Sequence, residues 1–397
     1  MPDTVLVDLA HQVRALADSP EHRNRRRLWE SLHALRPPRA LAHYALYPNV
    51  WERELAPPGL FSHPSGLPRL IERDLRARLW KAAAIPDDEP VLPTVWLGAP
   101  RPPGDDRLWG VPLAVSRTAE LGAYKPTPPI REEADLARLR SPRYEEDRPA
   151  MRRLREQAVE LLDGLLPVKL HTDELHFGPF EWVVRLRGMD ALLYDVVDRP
   201  DFVHRLMDFA TCGMVHYHRQ REAAGAFDAE AGWAIHPVWD ETPGDGTRLC
   251  QSWAYLHAQS SASLSPAMYA EFVQPYNARV AALFWRVYYH GCEDLSAKAG
   301  IVRDLPNLRL FHVSPWTPVD PVVQRLGAGF ALEVHSHPTG VLFTFDDADL
   351  RREVRARHQA ARGVPHVLKL CDVETVGDRA DRLRRWACEA REAVEAS

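Results

Sequence analysis

Short apolar runs alternate with stretches of helical periodicity along most of the 397-residue chain. Each run has the length of a buried strand, and the stretch after it places apolar residues three and four positions apart. Repeats of this kind are typical of strand–helix units in a parallel sheet. The predicted strands are Ala40–Tyr47, Val91–Leu97, Pro167–Leu170, Gly232–His236, Arg286–Tyr289, Leu308–His312, Phe330–Val334 and His366–Leu370.

The intervening stretches also carry helix start signals. Ser265 stands directly before Pro266, and a serine cap followed by proline in the first turn is typical of a helix N-terminus. Met268, Phe272 and Tyr276 follow at helical spacing, so we predict a helix that begins at Pro266 and faces the core with these side chains. This helix would connect the fourth and fifth predicted strands.

Eight strands that alternate with helices favour a TIM barrel, an α/β fold in which eight parallel strands close into a cylinder inside a ring of helices. Such a barrel takes about 250 residues, whereas this chain has 397. We therefore expect one domain over residues 1–397 with an N-terminal helical extension over residues 1–39. The other surplus stretch, residues 98–164, is rich in proline and charge and is expected to form a long loop insertion beside the barrel.

The composition limits the classes of function. A net charge of −5 and a hydrophobic content of 45% give no indication of a nucleic-acid or membrane partner. We recognise no signal peptide and no run of the roughly 20 apolar residues that span a bilayer. The five cysteines are scattered without a CxxC pair, so we expect a cytoplasmic protein. Glycine-rich nucleotide-binding motifs are also missing from the sequence.

The tripeptide His290-Gly291-Cys292 follows the fifth predicted strand. Residues two apart on a strand share a face, so an imidazole and a thiol are expected to project together at the strand end. Cys371 ends the eighth predicted strand, and the strand ends of a barrel meet at one rim. Because His nitrogen and Cys thiolate are preferred zinc ligands, the three residues predict a zinc site. A core histidine and two buried cysteines would produce the same pattern without a metal.

A second group of candidate ligands ends the seventh predicted strand. Glu333 and His335 alternate on one face and could complete or replace the metal shell. Together with His337 they would also suit iron or manganese. Three protein ligands leave a zinc position open for substrate, and either Glu293 or Glu333 is expected to fill it when substrate is absent. The alternative is that these histidines face solvent in a loop.

Polar and aromatic side chains near other strand ends are expected to line the same rim. They are candidates because barrel enzymes build their sites from the segments that follow the strands. The candidate catalytic residues besides Glu293 are His171 and Asp173, and the candidate substrate-binding residues are His176, His236, Asp240, Gln251 and Trp316.

Longer segments carry a family resemblance. Phe177-Gly178-Pro179-Phe180 is followed by Leu186-Arg187-Gly188-Met189-Asp190 and by Arg199-Pro200-Asp201-Phe202-Val203. Further along, residues 263–276 read SLSPAMYAEFVQPY. Together these segments resemble the uroporphyrinogen decarboxylase superfamily, and the resemblance extends over nearly the whole chain. It implies a TIM barrel with the active site at the carboxyl ends of the strands.

The superfamily contains more than one chemistry. Its true decarboxylases are metal-free and carry arginines just after the first strand, where this chain has Leu46-Tyr47-Pro48-Asn49-Val50-Trp51. Its zinc methyltransferases move a methyl group between a corrinoid and a thiol, and His290, Cys292 and Cys371 match their ligand pattern. An uncharacterised branch has a Cys-Glu pair and a Ser-Pro-Trp motif, comparable to Cys292-Glu293 and Ser314-Pro315-Trp316.

The leading hypothesis is a zinc-dependent methyltransferase that transfers a methyl group to a zinc-activated thiol at the barrel mouth. The resemblance implies a corrinoid methyl donor on a separate protein and allows a homodimer. The first alternative is a metal-free decarboxylase of a small carboxylated substrate, in which Asp or Glu protonates a carbanion. The second is a non-catalytic barrel that binds a metal or a small ligand.

Overall fold

The computed structural model describes residues 1–100, 108–117, 124–172, 175, 177–228 and 239–396. The strands are β1 (Leu41–Tyr44), β2 (Val95–Gly98), β3 (Val115–Arg117), β4 (Tyr124–Pro126), β5 (Val168–His171), β6 (Trp253–His257), β7 (Arg286–His290), β8 (Leu308–Val313), β9 (Ala331–His335) and β10 (His366–Leu370). The α-helices are α1 (Thr4–Ala17), α2 (Pro20–His33), α3 (Pro48–Val50), α4 (Gly66–Ala84), α5 (Arg148–Leu161), α6 (Pro179–Arg187), α7 (Met189–Asp198), α8 (Pro200–Ala223), α9 (Pro266–Phe272), α10 (Gln274–Ala281), α11 (Ala299–Val302), α12 (Val319–Leu326), α13 (Asp347–Ala360) and α14 (Asp381–Glu395).

The strands form one large parallel sheet and two small sheets. The large sheet has the order β1-β10-β9-β8-β7-β6, β2 pairs in parallel with β5, and β3 and β4 form an antiparallel hairpin. Consecutive strands lie side by side and the last returns beside the first, as in a TIM barrel. Among the described residues no ladder joins β1 to β2 or β5 to β6. The fold is therefore α/β and consistent with a TIM-like barrel that hydrogen bonds do not close.

Most predicted strands are present with ends shifted by a few residues, and His366–Leu370 coincides with β10. The predicted strand Gly232–His236 lies outside the described residues. The prediction missed β6, which pairs in parallel with β7 along its whole length. A local signal for β6 exists in the sequence, because Trp253, Tyr255 and His257 alternate with the apolar residues Ala254 and Leu256.

The helix predicted from Pro266 is two helices. Its start is confirmed, since the Ser265 side chain accepts a hydrogen bond from the backbone N–H of Met268. α9 nevertheless ends at Phe272, and α10 begins at Gln274. The break has a local cause, because Pro275 has no N–H to donate to the preceding turn and its ring disfavours a continuous helix.

Apolar side chains fill the amino-terminal end of the sheet's interior. Leu41, Trp253 and Ala331, the first residues of β1, β6 and β9, pack there with Trp29 and Leu310 in one buried cluster. A larger apolar cluster lies between the sheet and the surrounding helices. We therefore look for polar side chains with a chemical role towards the carboxyl ends of the strands. Within the described ranges no helix combines the length and apolar character needed to cross a membrane.

Side chains take the place of a neighbouring strand along the outer edge of β1. The Asp88 carboxylate accepts a hydrogen bond from the backbone N–H of Ala42 at 2.9 Å, and the Asp87 carboxylate accepts one from Tyr44 at the same distance. The Asp88 N–H donates in return to the Ala42 carbonyl at 2.8 Å. Because the loop between α4 and β2 occupies this edge, β2 is not paired with β1.

We expect Asp88→Asn to lower the free energy of unfolding by about 1.5 to 3 kcal/mol. Asp88 is 1% exposed and receives two hydrogen bonds from the Arg39 guanidinium, at 2.6 and 2.9 Å. The amide keeps an acceptor for Ala42 but loses the charge that compensates Arg39. Urea denaturation followed by circular dichroism measures the effect. Asp18→Asn, which removes an exposed pair with Arg14, should change stability by less than about 0.5 kcal/mol, and equal losses in both variants would contradict the prediction.

Candidate active site at the strand ends

Four neighbouring strands bring polar side chains to one end of the large sheet. β7 ends at His290, β8 contributes His312, β9 ends at His335, and Cys371 directly follows β10. The strands are parallel and in register, with His312 beside Glu333 and Lys369 beside His335. Their carboxyl ends therefore lie at one rim. We call His290, Cys292, His312, His335 and Cys371 the strand-end site.

The histidines of the strand-end site form a continuous aromatic row. The rings of His290 and His312 are stacked, with centroids 4.1 Å apart and planes 12° from parallel. His312 meets His335 edge to face, also at 4.1 Å. Tyr255 on β6 stacks on the other side of His290 at 5.4 Å. These contacts restrict the ring orientations, and the Gly291 carbonyl oxygen, 2.6 Å from Nδ1 of His312, restrains His312 further.

A buried ion pair lies directly below this row. The Glu333 carboxylate is 3.0 Å from Nζ of Lys369, and both side chains are almost completely buried. Tyr288 donates its hydroxyl to the same carboxylate at 2.5 Å, and Nε2 of His335 lies 2.7 Å from it. The negative charge of Glu333 is therefore compensated by a lysine and stabilised by two further polar groups.

Two groups of side chains in the described part of the chain have three metal-ligating atoms that all lie within 4.8 Å of one another. The groups are His312, Glu333 and His335 at the strand ends, and His43, Asp87 and Glu89 beside β1. Neither group contains a cysteine, so the predicted set His290, Cys292 and Cys371 is not preassembled as a shell of that size. A lysine ammonium approaches the carboxylates of each group, Lys369 in the first and Lys81 in the second.

The two thiols share an acidic surrounding. Burial, together with the nearby carboxylates of Asp372 and Glu293, raises the pKa of Cys292 to about 12. Burial also raises the pKa of Cys371 to about 12, where the Lys369 ammonium acts against it and Asp372 adds to it. The Tyr47 hydroxyl lies 4.0 Å from Sγ of Cys371 and donates to Asp372 at 2.9 Å. Cys292 and Cys371 follow parallel strands of one sheet, and both thiols are protonated at neutral pH unless a cation binds there.

We expect the alkylation rate of Cys292 in metal-stripped protein to rise about tenfold per pH unit from pH 8 to pH 10, because the thiolate is the reactive species. The pKa of about 12 places the plateau above this range. Iodoacetamide labelling read by peptide mass spectrometry measures the rate, with the exposed Cys388 in the same sample as internal reference. A plateau below pH 9 would show that the raised pKa is wrong.

Two carboxyl groups near the carboxyl ends of β6 and β7 also have raised pKa values. Burial raises the pKa of Glu293, with Lys298 acting against it and Glu181 adding to it. No other residue within the described ranges donates a hydrogen bond to the Glu293 carboxylate. Glu181, in the first turn of α6, accepts hydrogen bonds from the backbone N–H and the hydroxyl of Ser260, both at 2.7 Å, and burial raises its pKa as well. Both carboxyl groups therefore hold a proton to a higher pH than exposed glutamates do.

Some of the predicted site residues stand at the rim. His171 ends β5, its ring lies 4.5 Å from that of Trp96, and its partial burial lowers the pKa of the imidazole. Trp316 follows β8, is 58% exposed, and meets the ring of His337 edge to face at 5.3 Å. The predicted Asp173, His176 and His236 lie outside the described residues.

The structure does not bring Asp240 and Gln251 to the rim. Asp240 pairs with Arg286, the first residue of β7, and accepts a hydrogen bond from the indole N–H of Trp253 at 3.1 Å. Gln251 precedes β6 and accepts hydrogen bonds from the backbone N–H groups of residues 247 and 248. Both therefore lie at the amino ends of the parallel strands, where they stabilise local structure. Polar residues occur at both ends of a strand, so the sequence alone does not show that Asp240 and Gln251 lie at the amino ends rather than at the rim.

Sequence reasoning predicts His312 near the rim, but it missed Lys369, Tyr255 and Glu181. Lys369 lies within an apolar run, and only the pairing of β9 and β10 shows that it lies beside His335. The alternation of polar and apolar residues in these strands is a usable signal. The contact of Lys369 with Glu333 joins residues far apart in the sequence, and no local pattern indicates it.

Comparison with known proteins adds information about the fold. No family model matches the chain, and no curated protein matches its sequence. Among solved structures, the chain is similar to a methyltransferase from Methanosarcina mazei, with a TM-score of 0.54 and 12% sequence identity. The similarity covers 92% of this chain and 97% of that chain. At this identity the likeness concerns the fold, because one fold can host unrelated functions.

Proposed function

We propose that this protein is a methyltransferase that acts at its strand-end site and delivers a methyl group to a thiol. The observation that carries the proposal is the arrangement of two thiols, Cys292 and Cys371, and a row of oriented histidines at the carboxyl ends of neighbouring parallel strands. The fold likeness to the Methanosarcina mazei methyltransferase supports it. We also propose that the chain is a distant member of the uroporphyrinogen decarboxylase superfamily, with a corrinoid on a separate protein as methyl donor.

We propose zinc as the metal of this site, held by His290, Cys292 and Cys371. One imidazole and two thiols are donors that zinc prefers. The carboxylates of Asp372 and Glu293 that raise the pKa of Cys292 would in turn attract a dication. The ligand atoms do not form one of the close groups, so the side chains have to turn towards one another on binding. When bound, zinc would favour the thiolate form of a substrate thiol.

The surrounding residues supply orientation. Methyl transfer is a displacement that depends on alignment more than on acid–base help. His312, restrained by the Gly291 carbonyl, stacks on His290 and limits the directions its imidazole can take. Glu333, fixed by Lys369, orients His335 in the same way. The raised pKa of Glu293 lets its carboxyl group hold the proton that a bound thiol gives up.

One observation favours a second candidate function, a decarboxylase. Glu293 is a largely enclosed carboxyl group with a raised pKa and no hydrogen-bond donor among the other described residues. A carboxylic acid in this state can protonate a carbanion, which is the step that ends a decarboxylation. In that case activity would depend on the Glu293 proton and would not need a metal.

Methyl transfer from methylcobalamin to a panel of small thiols tests the proposal, with the thioether product measured by mass spectrometry. We expect activity in protein as purified, loss of activity after chelator treatment, and recovery with added zinc. Glu293→Gln should keep a substantial part of this activity. Methyl transfer that persists in the stripped protein would overturn the zinc mechanism. Absence of methyl transfer, together with metal-independent decarboxylation that disappears in Glu293→Gln, would overturn the methyltransferase in favour of the decarboxylase.

A further inference from the structure

A cavity of about 390 Å³ lies beside β1, and we call it the β1 cavity. Liquid water occupies about 30 Å³ per molecule, so the β1 cavity is far larger than a single ion requires. Its size falls in the range of small-molecule sites, roughly 300 to 1,000 Å³. α4 and the loops after β1 and before β2 supply apolar walls, and polar side chains also line the cavity. The apolar and aromatic lining includes Leu46, Pro48, Ala77, Val91, Trp96 and Trp239.

The two arginines that line the β1 cavity already have anionic partners. Arg78 pairs with Asp74 at 2.7 Å and donates to the backbone carbonyls of residues 92 and 94. Arg25 pairs with Glu21 at 2.6 Å and donates to the backbone carbonyl of residue 89. Neither guanidinium is therefore left to compensate further negative charge.

The remaining charged groups leave an excess of negative charge. Lys81, which is 5% exposed, lies 2.9 Å from the Asp87 carboxylate and also contacts the Glu89 carboxylate. One ammonium thus faces two carboxylates, and Nε2 of His43 lies 3.2 Å from Glu89. A buried net charge is costly unless it is compensated. Asp87 is buried, whereas the Glu89 side chain is 32% exposed and lines the cavity. This acidic wall therefore favours a positively charged group beside it.

We infer that the β1 cavity binds the positively charged end of a small organic molecule, an alkylammonium or other onium group. Asp87 and Glu89 supply the countercharge, and the indole rings of Trp96 and Trp239 supply surfaces of the kind that attract such cations. Nζ of Lys169 already lies over the Trp96 ring, 5.5 Å from the ring centroid. The inference names the class of the small substrate and in that respect rests on the proposed function.

The β1 cavity and the strand-end site share a wall. Leu46 and Pro48 line the cavity, while Tyr47 between them places its hydroxyl 4.0 Å from Sγ of Cys371. The preceding Ala45 donates a backbone hydrogen bond to the carbonyl of Leu370. A ligand in the cavity therefore lies next to the segment that contacts the proposed reaction centre.

An organic cation fits this cavity better than a metal ion does. His43, Asp87 and Glu89 do have ligand atoms within 4.8 Å of one another. The ammonium of Lys81, however, already contacts both carboxylates, so a dication that has to coordinate them directly would meet it at close range, whereas the charge of an onium group is spread over its alkyl substituents and needs no direct coordination. Apolar and indole walls offer no ligands to a metal, whereas they match the methyl or methylene groups around an onium nitrogen.

Isothermal titration calorimetry with choline and its uncharged isostere 3,3-dimethylbutan-1-ol tests the inference on the full chain. We expect choline to bind at least tenfold more tightly than the isostere. Glu89→Gln should weaken choline binding at least tenfold and leave the isostere unchanged. Asp87 is left intact because its carboxylate also supports the backbone of β1. The matched control is Glu30→Gln, which breaks a surface pair with Arg26 away from the cavity and should bind choline as the wild type does.

Equal affinity for the two probes, absence of binding, or an unchanged choline affinity in Glu89→Gln would each overturn the inference. Competition of zinc or magnesium chloride with choline at equimolar concentration would also overturn it and assign the site to a metal. The measurement needs no turnover, so its result is separate from that of the methyl-transfer assay. Cys292→Ser should bind choline normally, and therefore failure of the proposed function leaves this binding in place.

Discussion

Lys369→Met is expected to lower the free energy of unfolding by about 3 to 5 kcal/mol. The ammonium of Lys369 is completely buried and pairs at 3.0 Å with Glu333, which is 4% exposed. Methionine fills a similar volume but leaves the carboxylate without a compensating charge in the interior of the sheet. Removal of one partner of a buried pair costs far more than the pair contributes as a whole, because the remaining charge has lost both water and its partner.

Chemical denaturation of the purified variants measures this effect. The double variant Lys369→Met/Glu333→Leu should recover most of the lost stability, since buried pairs are often replaced by apolar groups at little cost. The matched control is Arg351→Met, which breaks an exposed pair with Glu389 and should cost less than about 1 kcal/mol. A loss below about 1 kcal/mol in Lys369→Met would contradict the buried charge pair.

Cys292→Ser is expected to lose most of the bound zinc and, with it, at least tenfold in methyl-transfer rate. A hydroxyl is a much poorer zinc ligand than a thiolate, and even residues that only support a ligand change metal affinity by about 10- to 100-fold. Protein purified without added metal should contain about one zinc per chain, the number expected for a single catalytic site. Elemental analysis by mass spectrometry measures the metal directly.

The control for this variant is Cys388→Ser, on the exposed side of α14, which should keep its zinc. His312→Ala separates the proposed ligands from the close group of His312, Glu333 and His335. If the close group holds the metal, His312→Ala loses zinc and Cys292→Ser keeps it. That result, or the absence of zinc from the wild type, would refute the proposed ligand set.

The pattern of apolar runs predicts most of the parallel sheet because strand periodicity is a local property of the sequence. The opening between β1 and β2 is different, since it depends on Asp87 and Asp88 reaching the backbone of a strand more than 40 positions away. Charged residues in a loop give no sign of this role. The missed strand β6 is short and rich in aromatic residues, and its Trp253 and His257 also fit a loop that lines a site.

The candidate site likewise combines features that local sequence patterns predict with contacts that depend on strand pairing. The sequence predicts that Cys292 and Cys371 lie at one rim because each follows the end of a strand, and the parallel order of β7 to β10 places both at the carboxyl ends of one sheet. It does not predict that Lys369 neutralises Glu333, which depends on the register of β9 and β10. Whether His290, Cys292 and Cys371 hold zinc stays a prediction.

The carboxylates along β1 also bear on how the protein avoids association with other chains. An exposed strand edge with unsatisfied N–H and C=O groups can recruit a strand from another molecule and start aggregation. At the outer edge of β1, the N–H groups of Ala42 and Tyr44 are already taken by Asp88 and Asp87, and the Ala42 carbonyl by the Asp88 backbone. At these positions the interrupted sheet therefore offers no unpaired backbone groups to another chain. The gap beside β1 can persist without promoting the aggregation that exposed strand edges usually cause.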